Sequence, residues 1–194
     1  IPASHCGVFG LKPSRHRTTP LEHAGPIDLV ARNVISRSVR DSAIALSHLQ
    51  IDSELPRLAE VTGHRSKKLR VALLLENFSG SALNPDVKAA TEATAKLCED
   101  LGHTVTEVPH YLDGEAFQDA FLTLWAFSAA TIAAQIAQVA GVDPRKVGIL
   151  EPWTLDLADW YATLPSDALE KSLVVLGDAT KQSAQFHKEY RSEE

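Results

Sequence analysis

The spacing of hydrophobic residues changes along the chain, and these changes predict the order of its elements. Residues 69–76 (LRVALLLE) form a near-continuous apolar run, which is typical of a strand buried on both faces. Asn84 and Pro85 then supply a helix cap and a first-turn proline, and Gly102 marks the end of that helix. Residues 103–108 (HTVTEV) resume a strand pattern. This β-α-β order predicts two adjacent parallel strands joined by a right-handed crossover. One apolar stripe of the helix is expected to pack over them: Val87, Ala90, Thr94, Leu97, Cys98 and Leu101.

The last third of the chain is predicted to be helical. Helices are expected near residues 115–140, near 152–162 and from about Ser166 onwards. The first is long enough to cross a membrane, and Asp119 is its only charged residue between positions 116 and 140. Its apolar content comes mostly from alanine and three glutamines interrupt it, so a buried core helix is the favoured interpretation.

The first fifty residues mix turn signals with short apolar runs. Pro2 is suited to start a brief helix, and residues 33–37 (NVISR) suggest a short strand. Ser38 and Asp41 have the spacing of a capping box, with apolar residues at helical spacing behind it. We therefore expect Asp41 to serve the helix N-terminus and Arg37 to anchor neighbouring backbone, both in structural roles. Residues 51–68 are predicted to be an exposed connection.

Composition and charge narrow the possible functions. The 194 residues are 44% hydrophobic and 23% charged, which is typical of a core-forming globular chain. The net charge of -6 argues against a nucleic-acid or anionic-membrane surface, because both need clustered Lys and Arg. Cys6 and Cys98 lie far apart without metal-ligand spacing, and no signal-peptide pattern is recognised, so a cytoplasmic location is expected.

Residue types and their spacing alone do not identify an active site. The eight histidines include no i, i+4 pair that would form a helical metal site. His5 adjoins Cys6, but neighbours in a chain seldom face each other, and structural roles are favoured for both. No glycine-rich phosphate loop follows a predicted strand. Trp125 lies among small residues of the alanine-rich helix, where a large aromatic ring is either a core residue or the wall of a substrate cleft.

Two segments carry a resemblance to a known family. The opening IPASHCGVFGLKPS is similar to the second half of the amidase signature, GGSIR followed by xPAxxCGxxGLKPT, with Ser14 in place of the threonine. ISRSVRDSAIAL (35–46) resembles the family's GPxxRSVRDxA segment, although Asn33 and Val34 replace Gly-Pro. His16 replaces a glycine that would suit a positive φ. The RSVRDSA version looks most like the 6-aminohexanoate cyclic-dimer hydrolase branch of the amidase signature family.

The resemblance implies an α/β fold with a mixed β-sheet core flanked by helices and a helical C-terminal third. Residues 1–194 would then be a partial amidase domain, with signature-core remainder at 1–50, the β-α-β unit at 69–109 and a helical substrate-side region at 115–194. The family mechanism uses a Ser-cisSer-Lys group to cleave an amide through an acyl-enzyme, without metal or organic cofactor. The substrate would be a small-molecule amide, and a homo-oligomer is possible.

The same resemblance places the chemistry outside this sequence. The nucleophilic serine of GGSIR would stand three residues before Ile1, with the bridging serine and the lysine further upstream. No residue of this chain is therefore expected to be catalytic, and the chain alone is expected to be inactive. Trp125 is the one candidate for a substrate-binding residue. The alternative is a non-catalytic structural or interaction module, which the upstream sequence would distinguish.

Overall fold

The computed structural model of the chain describes residues 2–20, 26–27, 30–59 and 67–190. Their contacts divide the chain into a first unit, Ile1–Ser66, and a second unit, Lys67–Glu194. The boundary falls within the predicted connection 51–68, of which residues 60–66 lie outside the described residues.

The first unit contains short elements. They are α1 (Pro2–His5), β1 (Phe9–Gly10), β2 (Ile35–Ser36) and α2 (Val39–Leu49). β1 and β2 pair antiparallel. The brief helix at Pro2, the short strand within 33–37 and the helix behind Ser38 are thus confirmed.

The second unit opens with the predicted β-α-β arrangement. β3 (Arg70–Leu73) and β4 (Thr104–Glu107) are parallel neighbours, and α3 (Pro85–Asp100) connects them and packs against β4. The Asn84 side chain accepts a hydrogen bond from the Asp86 N–H at 2.9 Å. Gly102 has φ +85°, the left-handed conformation that favours glycine just after a helix.

The predicted packing stripe of α3 is wrong in most of its members. Val87, Leu97 and Leu101 are 56–57% exposed, and of the predicted stripe only Cys98 is half-buried. The other half-buried positions of α3 are Thr91 and Ala95. Helical periodicity locates an apolar face, but the described sheet beneath α3 has only two strands and is too narrow to cover it.

Four helices make up the C-terminal region of the second unit in its described part: α4 (Gly114–Ala140), α5 (Pro144–Val147), α6 (Pro152–Thr163) and α7 (Ala168–Glu189). α4, α6 and α7 confirm the three predicted helices. α4 packs against both α6 and α7. Ala126, Ala129 and Leu157 form its buried core with α6. The α/β class with a helical C-terminal third is therefore confirmed, with strands in two two-stranded sheets among the described residues.

The start of α4 fixes where this helical region joins the β-α-β segment. The Asp113 carboxylate accepts a hydrogen bond from the Ala116 N–H at 3.1 Å. At Gly114 a Cβ atom would stand 1.6 Å from the carbonyl oxygen of Phe78, so only glycine fits there. By length and composition α4 meets the requirements of a membrane span, and in the structure Ala120 and Leu124 on one side of it and Ala126 and Ala129 on another are buried.

Candidate functional site

The signature segment at the start of the chain folds into a tight helix, turn and strand. Pro2 opens α1, and the Val8 N–H donates to the carbonyl oxygen of Ala3 at 3.0 Å. Gly7 turns the chain with φ +62°. A Cβ atom at Gly10 would stand 2.7 Å from the Cβ of Ala3. The small residues of the motif are therefore required by a close approach between α1 and β1.

The two signature-like segments lie side by side in one sheet. Phe9 of the first stands opposite Ser36 of the second, and Gly10 stands opposite Ile35. This antiparallel pairing brings together residues more than twenty positions apart in the sequence.

The helix after the second segment is capped by a serine. The Ser38 hydroxyl accepts a hydrogen bond from the Asp41 N–H at 3.1 Å, which confirms half of the predicted capping box. The other half is wrong, because the Asp41 carboxylate has no hydrogen-bond partner among the described residues. The separate expectation that Arg37 anchors neighbouring backbone is also wrong there, since its guanidinium has no hydrogen-bond or ion-pair partner in that part of the chain. Asp is one methylene shorter than the Glu that usually completes this box. Asp41 remains in the first turn, where its charge complements the helix dipole.

The turn after the signature contains the substituted glycine position. His16 has φ 63° and is the single non-glycine residue with positive φ in the described ranges. A side chain in this conformation costs roughly 1–2 kcal/mol. The glycine expected by the family pattern would relieve that strain, so the suggestion drawn from the sequence is confirmed in its geometry.

A buried glutamine ties this turn to neighbouring segments. The Gln50 side-chain oxygen accepts hydrogen bonds from the Leu58 N–H at 2.7 Å and from the Arg17 guanidinium at 3.1 Å. Its amide nitrogen donates to the carbonyl oxygen of Leu58 at 3.0 Å. Arg17 also donates to the carbonyl oxygen of Pro56 at 2.8 Å. Gln50 thus joins the end of α2, the signature turn and the segment around Pro56.

Trp125, the residue singled out from the sequence, lies on α4 with 48% of its surface exposed. Its ring is tilted on that of Phe121, with centroids 5.9 Å apart. The ring of Phe121 stacks on that of Phe117, which contacts Phe78 edge-on. Trp125 is therefore the exposed end of a row of aromatic rings. The substrate-side role of Trp125 stays a prediction.

A cleft that the sequence did not indicate lies beside β3. This cavity of about 320 Å³ is called the β3 cleft below, and a neighbouring cavity of about 300 Å³ shares Arg70 with it. The β3 cleft is lined by Arg70, Val71, Ala72, Leu74, His110, Tyr111, Phe186, His187 and Tyr190. The neighbouring cavity is lined by Lys67, Lys68, Leu69, Arg70 and Lys188. Trp125 lines neither.

Aromatic stacking fixes one wall of the β3 cleft. The rings of Tyr111 and Phe186 lie 4.1 Å apart at 15°, and the ring of His110 stacks on Tyr111 at 5.5 Å. The backbone N–H of Leu112 donates to the ring Nδ1 of His110 at 3.2 Å. The backbone N–H of His110 donates to the Glu76 carboxylate at 3.2 Å. One signal was available in the sequence, because His110 and Tyr111 lie shortly after β4, near the strand end where ligands gather in α/β proteins.

The pKa shifts of charged groups elsewhere on the chain arise from surface ion pairs. A hydrogen bond to Asp159 and its negative charge raise the pKa of Arg145, and a hydrogen bond to Lys171 lowers the pKa of Asp167. All four side chains are exposed, where ion pairs contribute little to stability. No group of three or more potential metal ligands occurs in the part of the chain that the structure describes.

Comparison with known proteins identifies the family. The family model described as Amidase matches residues 1–192. The chain belongs to the amidase family. This amidase chain is 37% identical to AmiC of Mycobacterium tuberculosis (strain ATCC 25618 / H37Rv) over 135 residues, which cover 66% of the chain and 28% of AmiC. It is 34% identical to the 6-aminohexanoate-cyclic-dimer hydrolase of Pseudomonas sp. (strain NK87) over 139 residues, 64% of the chain and 28% of that hydrolase.

A solved structure supports the same fold. 6-Aminohexanoate cyclic dimer hydrolase complexed with substrate matches the chain with a TM-score of 0.75 at 23% identity. The match covers 97% of this chain and 42% of the solved one. The resemblance to the amidase signature family and to its cyclic-dimer hydrolase branch is thus confirmed. The chain spans less than half the length of these relatives.

Proposed function

We propose that the protein of which this chain is part hydrolyses the C–N bond of a linear or cyclic small-molecule amide. The family match over residues 1–192 carries the proposal. The structure supports it, because both signature-like segments fold as neighbours through the β1–β2 pair.

The chemistry follows from the amidase signature. A neutral lysine takes a proton through a bridging cis-serine, and a second serine attacks the amide carbonyl to form an acyl-enzyme. The proton taken by the lysine passes through the bridging serine to the leaving amine or ammonia, and water then hydrolyses the acyl-enzyme to release the acid and the free serine. Backbone N–H groups around the nucleophile stabilise the oxyanion. By the resemblance all of these groups precede Ile1, so the chain is proposed to be inactive alone.

The role of the present chain is to support that site. The close fit of Gly10 on Ala3 and the pairing of Phe9 with Ser36 hold the segment that directly follows the proposed nucleophile. Gln50 fixes the turn behind it through Arg17 and Leu58. Catalysis through a covalent intermediate depends on such positioning, because small displacements of reacting groups are costly.

The substrate is proposed to be a small aliphatic or lactam-like amide. The 34% identity to a 6-aminohexanoate-cyclic-dimer hydrolase supports this class. Trp125 is the proposed substrate-side wall, because its half-exposed ring is available to contact a substrate. Replacing Trp125 by Ala in the full-length protein should raise KM. Trp153→Ala, at a 59% exposed position on α6, is the matched control and should leave KM unchanged.

The deciding experiment compares the full-length protein with the 194-residue chain on a panel of linear and cyclic amides, with a metal chelator present. Turnover by the full-length protein alone is expected. Turnover by the 194-residue chain would show that the nucleophile lies within it. Loss of activity on chelation would overturn the mechanism, and an inactive full-length protein would favour a structural or interaction module.

A further inference from the structure

The ring of Trp125 is confined on one side only. Side chains of an α-helix lean toward its N-terminus, so the Trp125 ring lies over the turn of α4 that contains Phe121. The two ring centroids lie 5.9 Å apart, and Phe121 is the one aromatic ring in contact with Trp125 in the described part of the chain. One turn further along α4, Ser128 and Ala129 are too small to confine a large ring. The orientation of the Trp125 ring therefore depends on Phe121.

Phe121 is itself held from the N-terminal side of α4. Residues four positions apart share a face of a helix, and Phe117 stacks on Phe121 with centroids 6.2 Å apart and planes at 6°. Phe78, in the segment after β3, meets Phe117 edge-on with centroids 4.9 Å apart. Stacked and edge-on pairs are the arrangements that aromatic rings favour. Three half-buried rings thus stand in a row behind Trp125.

The far end of this row is anchored to the strand ends. The backbone of Phe78 lies against the start of α4 at Gly114, where no side chain fits. The Phe78 ring also meets the His110 ring edge-on, with centroids 4.7 Å apart. The backbone N–H of His110 donates to the Glu76 carboxylate at 3.2 Å, so the segments that follow β3 and β4 are joined at this point. The aromatic row therefore begins on a fixed part of the second unit.

We propose that Phe121 is a positioning residue that sets the orientation of the Trp125 ring, with Phe117 and Phe78 holding Phe121 in place. The consequence for substrate binding rests on the proposed function, in which Trp125 is the substrate-side wall, whereas the orientation of the ring does not. A wall that is already ordered avoids the loss of side-chain freedom on binding. Loss of the Phe121 ring should therefore weaken substrate binding without changing the groups that react.

NMR relaxation of the Trp125 indole N–H in the full-length protein tests the orientation. Its resonance is the one that disappears in Trp125→Phe. Phe121→Leu keeps an apolar side chain but removes the ring, and it should lower the order parameter of this N–H, which reports motion on the picosecond to nanosecond timescale. Phe121→Tyr keeps the ring and should preserve the order parameter. An unchanged order parameter in Phe121→Leu would overturn the proposal.

Steady-state kinetics of the same variants tests the consequence for the substrate. Phe121→Leu should raise KM severalfold and leave kcat within about twofold, because an interaction shared by the ground state and the transition state is lost. Phe121→Tyr should restore KM. Phe127→Leu is the matched control on α4 and should change neither constant, since the Phe127 ring instead contacts Tyr161 of α6 with centroids 5.6 Å apart.

The two measurements separate the possible failures. Equal rises in KM for Phe121→Leu and Phe127→Leu would indicate a general disturbance of α4 and would overturn the specific role of Phe121. A lower order parameter with an unchanged KM would support the positioning of Trp125 by Phe121 and contradict the substrate-side role of Trp125. In a full-length protein that hydrolyses no amide, the order parameter alone decides whether Phe121 orients the Trp125 ring.

Discussion

The two units of the chain differ in what fills their interiors. Among the described residues of the first unit, the buried polar residues are Thr18, Ser42 and Gln50, and the buried apolar residues are Pro13 and Leu46. In the second unit the buried residues are mainly leucine and alanine on α4, α6 and α7: Ala120, Leu124, Ala126, Ala129, Leu157, Leu176 and Ala179.

This difference indicates that the two units are stabilised by different interactions. Removal of apolar surface from water stabilises the second unit, in rough proportion to the area buried. The first unit instead uses hydrogen bonds that specify particular turns, with Gln50 bonded to both Arg17 and Leu58, while the buried Ser42 hydroxyl has no hydrogen-bond partner among the described residues. A framework behind an active site needs fixed turns more than it needs a large core, so the contrast agrees with the proposed supporting role.

Truncation in the apolar core of the second unit should have the largest effect. Leu124 is 1% exposed on α4. Leu124→Ala leaves a cavity and should lower the free energy of unfolding by about 2–5 kcal/mol. Urea unfolding monitored by circular dichroism measures the change. Val139→Ala, at a 90% exposed position of the same helix, is the control and should change stability little.

Removal of the buried glutamine should have the next largest effect. Gln50→Ala leaves the Leu58 N–H and the Arg17 guanidinium without their acceptor, at a cost of about 1–3 kcal/mol. Gln138→Ala on the exposed surface of α4 is the matched control. Should Gln50→Ala cost more than Leu124→Ala in the same urea experiment, the contrast between the two interiors would be reversed.

Sequence reasoning succeeded where the signal is local. Asn84, Pro85 and Gly102 locate the ends of α3 to within a residue or two, because caps and left-handed turns act within one helical turn. The parallel pairing of β3 with β4 followed from the strand-helix-strand order of the sequence pattern. The same cap-plus-proline signal at Asp143 and Pro144 precedes α5, which was not predicted.

Sequence reasoning failed where segments distant along the chain come into contact. The β3 cleft brings Arg70, Tyr111 and Phe186 together from three distant segments of the chain, and no spacing along the chain encodes their contact. The packing face of α3 was misjudged for a related reason, since periodicity marks apolar positions such as Val87 and Leu97 without indicating what covers them. The hydrogen bonds of Gln50 likewise depend on a loop conformation beyond local propensity.

Substitutions in the cap of α2 should change stability less, and they distinguish the role of Ser38 from that of Asp41. Ser38→Ala removes the acceptor of the Asp41 N–H and should destabilise the protein by about 1 kcal/mol. Asp41→Asn keeps that N–H and removes only a charge from the first turn, which is worth about 0.3–1 kcal/mol at low salt. Thermal unfolding at low and high salt distinguishes them, because only the Asp41→Asn effect should diminish with salt. A larger loss for Asp41→Asn would restore the full capping box.

The smallest expected effect is a stabilisation, unlike the losses of stability above. His16 holds φ 63°, which costs a non-glycine residue roughly 1–2 kcal/mol. Glycine adopts this conformation without strain, but its greater freedom in the unfolded chain offsets about 0.5–1 kcal/mol of the gain. His16→Gly should therefore stabilise the protein by about 0.5–1 kcal/mol, measured as a rise in Tm. Ser14→Gly changes a residue of the same turn that lacks a positive φ, and it should lower Tm because only the entropic cost applies. A fall in Tm for both variants would mean that the His16 side chain contributes more to the first unit than its strained backbone costs.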